Sequence, residues 1–173
     1  MEEKYNWSST DGGAEEDGMN DDKFWEKPLE SLSADQWEKL CDRCGRCCLK
    51  RVVDESNVHY TTRVVCKYYD EDKSRCSEYA KRSYLVPDCL DVKTMDIARA
   101  KWMPSTCAYR LRAEGRPLFD WHPLIFGSGD EMDRLKIGIR GRVINEDFVH
   151  PDGYEEHIVT WVCLLYTSDA ADE

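Results

Sequence analysis

The chain has 173 residues, 41% of them hydrophobic, which suffices for one domain with a buried core. Its net charge of −11 lies mostly at the two ends, because residues 1–22 carry −7 and residues 164–173 carry −3. The nearly neutral middle has no basic patch, which argues against nucleic-acid binding. No apolar run of about 18 residues indicates a membrane span, and the N-terminal sequence predicts no signal peptide. We therefore expect a cytoplasmic protein without a membrane partner.

The composition predicts three segments along the chain. Residues 1–22 are rich in Gly, Ser, Asp and Glu without hydrophobic periodicity, which predicts a disordered acidic tail. Residues 23–163 are predicted to form one cysteine-rich domain. Residues 164–173 are predicted to be a non-native or disordered tail.

The first predicted element is a helix that leads into the cysteines. Ser33 and Gln36 have the spacing of an N-terminal capping box, and Trp37 and Leu40 follow at helical positions. We expect this helix to continue directly into the cysteine-rich segment 41–48 and to end or bend at Gly45.

Segment 41–48 has four cysteines in eight residues, in the pattern C-x₂-C-x₂-C-C. On a helix their side chains would fall within about 120° of arc, and on a turn the C-x₂-C spacing lets two thiolates reach one metal ion. Nine cysteines without a signal peptide favour metal ligation over disulfides, which require an oxidising compartment. The segment is therefore predicted to bind a metal ion or cluster.

The elements that follow are predicted from β-branched residues and capping signals. Residues 49–65 favour a hairpin with a turn at 54–57, and residues 77–84 favour a short helix. Thr94 is a candidate N-cap for a helix over 95–102, and Ser105 is one for a helix over 106–114 that ends at Gly115. Cys107 would then lie in a first helical turn, where the helix dipole lowers a thiol pKa.

The C-terminal part of the domain is predicted to be extended. Alternating apolar residues over 136–144 indicate one strand, and residues 158–162 indicate another. The sequence therefore predicts an α+β fold, a small single cysteine-rich domain in which short helices and a small antiparallel sheet surround a metal or cluster site.

Eight cysteines are candidate metal ligands, enough for two four-thiolate sites or for one cluster with spare thiols. They are Cys41, Cys44, Cys47, Cys48, Cys66, Cys76, Cys89 and Cys107. Adjacent side chains such as those of Cys47 and Cys48 tend to diverge, which suits a larger cluster better than one tetrahedral zinc ion. An iron–sulfur cluster or iron is therefore the preferred cofactor, and zinc is the alternative.

Other polar residues give weaker indications. His122 could be a ligand, although a lone histidine is more often a surface or core residue. Asp88 could orient the neighbouring Cys89, or equally cap a turn. Arg110, Arg112 and Arg116 could bind an anion, although such residues more often form a solvated face. The sequence contains no nucleophile–base arrangement, P-loop or dinucleotide motif, so catalytic residues are unknown and an enzymatic activity stays open.

Residues 24–145 resemble, in order, the bacterial cysteine-cluster family with the CxxCxxCC signature (YcgN/YkgJ type). The motifs that carry the resemblance are Phe24-Trp25-Glu26, the run from Trp37 to Leu49, Cys66, Cys76-Ser77-Glu78-Tyr79, Pro87-Asp88-Cys89, the run from Pro104 to Arg110, and Trp121-His122-Pro123-Leu124. The resemblance implies a zinc- or iron-chelating domain. It also implies a distant relationship to flagellin lysine N-methylases, but no established reaction for this branch.

The chain departs from the family pattern at two places. Family members have C-x-C where this chain has Ser74-Arg75-Cys76, so the ligand expected at position 74 is missing. Residues 163–173 do not resemble the family's C-terminus and are typical of a translated sequencing adapter. We therefore expect that Cys163 is not a native ligand and that the native C-terminus is missing.

Three functions are compatible with these features. The first is a metal-binding or redox module that holds an iron–sulfur cluster or zinc, with a protein partner left open. The second is a cluster-dependent modifying enzyme related to the lysine N-methylases, although the chain has no glycine motif for S-adenosylmethionine. The third is a structural zinc module for protein contacts.

Overall fold

A computed structural model describes residues 23–162 of the chain. The predictions for the acidic segment 1–22, for Cys163 and for the tail 164–173 lie outside these described residues and stay predictions.

Short helices and strands make up the regular structure of residues 23–162. The α-helices are α1 (Ala34–Leu40), α2 (Arg82–Leu85), α3 (Ala108–Ala113), α4 (Pro123–Phe126) and α5 (Asp130–Arg134). The strands are β1 (Leu49–Val53), β2 (His59–Val65), β3 (Tyr69–Asp70), β4 (Arg75–Cys76) and β5 (Ile144–Asn145). The 3₁₀ turns are Phe24–Glu26, Leu29–Ser31, Arg46–Cys48, Tyr79–Lys81, Glu146–Phe148 and Pro151–His157.

The predicted hairpin is confirmed, with β1 and β2 paired antiparallel. Its turn is held by Asp54, whose Oδ1 accepts hydrogen bonds from the backbone N–H groups of Ser56 and Val58, both at 2.9 Å. Strand β5 lies on the other side of β2 and runs parallel to it. The α+β class is therefore confirmed, but the three-stranded sheet is mixed and not purely antiparallel as predicted.

The capping box at the start of α1 is confirmed. The backbone N–H of Gln36 donates to Ser33 Oγ, and the backbone N–H of Ser33 donates to Gln36 Oε1. However, α1 ends at Leu40, and Cys41 is already extended. The prediction that the helix continues to Cys44 is wrong, because Asp42 Oδ1 accepts the backbone N–H of Cys44 and Arg43 and Gly45 both have positive φ angles.

Substituting Ser33 with alanine is expected to lower the free energy of unfolding by about 1 kcal/mol, because the cap satisfies an otherwise unpaired N–H of α1. Urea unfolding followed by circular dichroism measures this. The exposed Ser83, within α2, is the control position, and Ser83→Ala should change stability by less than about 0.5 kcal/mol. Equal effects of the two substitutions would contradict the capping role.

The helix predicted over 95–102 does not form. Residues 94–103 instead make successive turns, in which the N–H of Ala100 donates to Ile97 O and the N–H of Met103 donates to Ala100 O. Ile97, Ala100 and Met103 are all buried, so the three-residue spacing of the apolar side chains matches turns better than an α-helix. Helix α3 does form within the predicted 106–114, but Cys107 is its N-cap residue and not Ser105.

The prediction of two C-terminal strands, over 136–144 and 158–162, is also largely wrong. Ile137 and Ile139 are buried as the alternation predicts, but their backbone groups bond to the cysteine segment. The N–H of Ile139 donates to Cys44 O at 3.0 Å, and Ile137 O accepts Arg46 Nε–H at 2.9 Å. Residues 158–162 contribute an isolated bridge between Thr62 and Ile158 in place of a strand.

Three apolar clusters form the core, and segment 40–49 contributes to all of them. Leu40 belongs to the first cluster, which includes Tyr109 and Leu111 of α3. Cys44 belongs to another, with Trp121. Leu49 belongs to the remaining cluster, which includes Ile139 and Val65. None of the helices in residues 23–162 has the length and apolar content needed to span a bilayer.

Candidate functional site

The cysteine segment is held in place because it packs into all three apolar clusters. After α1 ends, Gly45 adopts a left-handed conformation with φ 76°, and residues 46–48 form a 3₁₀ turn that leads into β1. A side chain at position 45 has no room, because a Cβ there would lie 2.6 Å from Tyr69 Oη and 2.8 Å from Ile139 Cδ1. The segment is therefore a tightly packed loop with a fixed path.

Five cysteines lie close enough to interact electrostatically, and we call them the inner cysteines. They are Cys41, Cys44, Cys47, Cys48 and Cys107. Cys47 is their common neighbour, since its charge influences the thiols of Cys41, Cys44 and Cys107, and its own thiol is hydrogen-bonded to that of Cys48.

Burial and neighbouring groups raise the pKa of four of the five inner thiols, those of Cys41, Cys44, Cys47 and Cys107. Burial is the main cause that raises the pKa of the Cys41 and Cys44 thiols, followed by the nearby Asp42 carboxylate. The hydrogen bond with Cys48 is the main cause that raises the pKa of Cys47. Burial raises the pKa of Cys107 to about 12 and outweighs the backbone N–H groups of α3. The helix terminus thus lowers the pKa of Cys107 as predicted, through the backbone N–H groups of Arg110 and Tyr109, but the net pKa is raised because burial has the larger effect.

The other three cysteines form a second group that we call the outer cysteines: Cys66, Cys76 and Cys89. Cys76 lies in β4 opposite Tyr69. It is close enough to Cys66 and Cys89 to raise the pKa of both thiols. Cys89 is also within range of Cys47, so it connects the two groups. Burial is the main cause that raises the pKa of Cys66 and of Cys89.

All eight cysteines within residues 23–162 have free thiols. In this part of the chain, no three Cys, His, Asp or Glu side chains are arranged so that they could hold a metal ion without moving. The structure thus brings the inner cysteines into one neighbourhood, but their donor atoms do not share one coordination centre.

Asp42 is a buried acidic residue that sequence reasoning missed. Its side chain is 5% exposed, and its Oδ1 accepts the N–H of Cys44 at 2.9 Å. Its Oδ2 is buried and has no hydrogen-bond partner in residues 23–162. The one feature of the sequence that could have indicated a role for Asp42 is its position inside the C-x₂-C pattern. Asp88, the acidic residue that the sequence suggested instead, is exposed.

Arg46 is a buried cation that was also missed. It is 2% exposed and donates from Nε to Ile137 O at 2.9 Å, and from Nη1 to Thr106 Oγ1 at 3.3 Å and Val162 O at 3.1 Å. All of these acceptors are uncharged, and no carboxylate pairs with Arg46 in the described part of the chain. Its charge acts on the Cys44 thiol, whose pKa it lowers against the larger effect of burial.

His122 has a structural role that uses both of its ring nitrogens. Nε2 lies 3.1 Å from Leu40 O, to which it must donate because a carbonyl only accepts, and Nδ1 accepts the N–H of Leu124 at 3.1 Å. His122 thereby caps α4, and burial lowers its pKa. The hypothesis that His122 is a metal ligand is not supported by this arrangement.

The arginines considered for anion binding are also used structurally. Arg110 pairs with Glu114 at 2.9 Å and donates to the backbone carbonyl of Lys101 at 3.2 Å. Arg112 donates to the carbonyls of Arg116 at 2.8 Å and Glu26 at 3.0 Å. These contacts hold α3 against its neighbours, so the interpretation as an anion site is not supported.

Glu146 connects Cys66 to the sheet. Its Oε2 pairs with Lys50 Nζ at 2.8 Å, its Oε1 accepts the backbone N–H of Lys67 at 2.8 Å, and it is also hydrogen-bonded to the Cys66 thiol. Burial alone would raise the pKa of this carboxyl, but the bonds from Lys50 and Lys67 outweigh burial and lower it.

This lowered pKa predicts a pH dependence of stability. A carboxyl whose pKa is lower in the folded state stabilises the fold above its ordinary value of 4.5, and the contribution is lost as the pH falls through the folded pKa. The free energy of unfolding should therefore fall below pH 4.5 less steeply in Glu146→Gln than in the wild type. Substituting the exposed Glu55 with glutamine is the control and should leave the slope unchanged. Identical slopes for Glu146→Gln and wild type would contradict this role.

Comparison with known proteins gives relatives of similar length in several bacteria. A UPF0260 protein of Marinobacter nauticus is 43% identical over 141 residues, which cover 80% of this chain and 95% of that protein. One of Cellvibrio japonicus is 43% identical over 142 residues, covering 80% and 96%. UPF0260 protein PputGB1_4117 of Pseudomonas putida is 44% identical over 138 residues, covering 79% and 92%.

No protein-family model and no solved structure matches the chain. The relatives nevertheless share more than two fifths of their residues with it over nearly their whole length. On this similarity, the chain belongs to the UPF0260 protein family.

Proposed function

We propose that this protein binds a metal centre through its cysteines and serves as a binding or redox module in the reducing cytoplasm. An iron–sulfur cluster or iron is the preferred occupant, and zinc is the alternative. The observation that carries the proposal is the position of Cys47, whose thiol interacts with those of Cys41, Cys44, Cys48 and Cys107. Such a sulfur-rich neighbourhood suits iron–sulfur clusters and zinc.

The buried charges near the inner cysteines support this proposal. Arg46 is a buried cation without a carboxylate partner in residues 23–162, and burying an unpaired charge is costly. Thiolates that bind a metal would place negative charge beside it. Arg46 would then offset the negative charge of the metal-bound thiolates. Protonated thiols are neutral and would need no such cation.

The inner cysteines would supply most of the ligands. Cys89 lies within range of Cys47 and is the first candidate from the outer group, whereas Cys66 and Cys76 would complete a larger or second site. Binding requires each ligating thiol to lose its proton and its side chain to rotate towards the metal, because these donors do not converge on one centre within residues 23–162. When bound, an iron–sulfur cluster would supply one-electron transfer. The resemblance to the CxxCxxCC cysteine-cluster family supports the same assignment.

Anaerobic purification followed by visible absorption spectroscopy tests which centre is bound. An iron–sulfur cluster gives a brown protein whose visible bands bleach on reduction with dithionite. A colourless protein that contains stoichiometric zinc would overturn the preference for iron and leave the zinc alternative. A protein purified under these conditions with neither metal would contradict the proposed function.

A further inference from the structure

We infer that Asp42 is a ligand of the metal that the inner cysteines bind, so that the site combines thiolate sulfur with one carboxylate oxygen. This inference rests on the proposed function. Asp42 lies between Cys41 and Cys44 in the loop after α1, and its charge acts on the thiols of Cys41, Cys44, Cys47 and Cys107. The carboxylate is therefore close to four of the five inner cysteines.

The hydrogen bonds of Asp42 leave one oxygen free for a metal. Oδ1 is occupied by the N–H of Cys44, which fixes the side chain over the loop. Oδ2 has no hydrogen-bond partner among residues 23–162, although it is fully buried. A buried carboxylate oxygen without a partner costs about 1–3 kcal/mol or more, so such atoms are uncommon unless something absent from the polypeptide satisfies them.

Asp42 also forms no salt bridge within residues 23–162. The neighbouring His122 is neutral because both ring nitrogens are used as one donor and one acceptor. The nearby thiols would add further negative charge if they ionised. A divalent metal ion bound to these thiolates is the cation that suits both the carboxylate and the thiolates.

A small cavity offers a competing explanation for the unpartnered oxygen. Asp42 also lines a cavity of about 30 Å³, together with Ser74, Gly138 and the arginines Arg43 and Arg140. This volume can hold a water molecule, which would satisfy Oδ2 without any metal. The two lining guanidinium groups disfavour a cation inside the cavity itself. The alternatives are thus ligation of the metal at the thiols and hydration from the cavity.

The substitution Asp42→Asn separates these alternatives because it keeps the oxygen that accepts the N–H of Cys44 and removes the charge. We expect the metal-free variant to be at least as stable to urea as the metal-free wild type, since an unpaired buried charge is lost. We expect its affinity for zinc(II), measured by competition with a chromophoric chelator, to fall about tenfold or more. Asp133→Asn is the matched control, because Asp133 is exposed and lines the same cavity. Its zinc affinity should equal that of the wild type.

The outcomes are decisive in each case. Unchanged zinc affinity in Asp42→Asn would overturn the inference and leave the proposed function intact, as expected if water in the cavity satisfies Oδ2. If the wild type itself takes up no metal, the proposed function and the inference fail together.

X-ray absorption of the zinc-loaded wild type tests the same point without a substitution. A shell of sulfur at about 2.3 Å with one oxygen at about 2.0–2.2 Å supports ligation by Asp42. A shell of sulfur alone overturns it, even if Asp42→Asn fails to fold.

Discussion

Replacing Cys47 with serine is expected to lower the affinity of the protein for its metal by about 100-fold or more. Cys47 is the common neighbour of the inner thiols, and even residues that merely orient a ligand contribute about 10- to 100-fold. Because Cys47 is exposed, the substitution should change the stability of the metal-free protein by less than about 0.5 kcal/mol. Metal content after gel filtration and urea unfolding of the chelator-treated protein measure the two effects separately.

Cys163→Ser is the matched control for this substitution. Cys163 lies outside the described residues and is expected from the sequence not to be a native ligand, so its replacement should leave the metal content unchanged. A Cys47→Ser protein that retains the wild-type metal content would contradict the central position of Cys47. A Cys47→Ser protein that unfolds without metal would show that the thiol serves packing and not ligation.

Replacing Gly45 with alanine is expected to destabilise the metal-free protein by about 2–5 kcal/mol. A left-handed backbone at a residue with a Cβ costs about 1–2 kcal/mol. The new Cβ would in addition lie 2.6 Å from Tyr69 Oη and 2.8 Å from Ile139 Cδ1, and overpacking of this kind costs about 1–3 kcal/mol. Urea unfolding of the chelator-treated protein measures the sum.

Gly115 separates the two contributions to this effect. It has a similar φ of 70°, but a Cβ there would meet no atom within 4 Å. Gly115→Ala should therefore cost only the backbone part, about 1–2 kcal/mol. Equal losses for the two substitutions would contradict the claim that packing against Tyr69 and Ile139 fixes the path of the cysteine segment.

The parts of the fold that depend on neighbouring residues could be predicted from the sequence. The capping box of Ser33 and Gln36 and the hairpin turn at Asp54 are both built from side chains that bond to backbone groups within four residues. The alternation at 136–144 correctly predicted that Ile137 and Ile139 are buried. It gave the wrong element, because their backbone bonds go to Cys44 and Arg46, more than 90 residues away in the chain.

The candidate site shows the same division. The cysteine spacing predicted that segment 41–48 is the centre of the site. Cys107 was also a predicted ligand, and although it is far along the chain it lies within range of Cys41 and Cys47. Asp42 and Arg46 lie inside the same segment, yet charged residues between cysteines are usually solvent-exposed. Arg46 is buried against residues 106, 137 and 162, to which it donates hydrogen bonds, and no local pattern reveals these contacts or the burial of Asp42. The two residues that set the local charge were therefore missed.

The packing of the segment bears on how a metal would be held. Leu40, Cys44 and Leu49 each belong to a different apolar cluster, so the loop between α1 and β1 is anchored at both ends and in its middle. The backbone is thereby fixed, whereas the exposed Cys47 and the half-buried Cys41 and Cys48 keep room for rotation of their side chains. We propose that metal binding needs side-chain movement on a fixed backbone.

The metal content of the wild-type protein after anaerobic purification tests the central claim most directly. Elemental analysis alongside amino-acid quantification is expected to give at least about one iron or zinc per chain, retained through gel filtration and released when the thiols are alkylated. A monomeric, folded protein without bound metal, which also takes up neither iron(II) with sulfide nor zinc(II) when these are added, would contradict it.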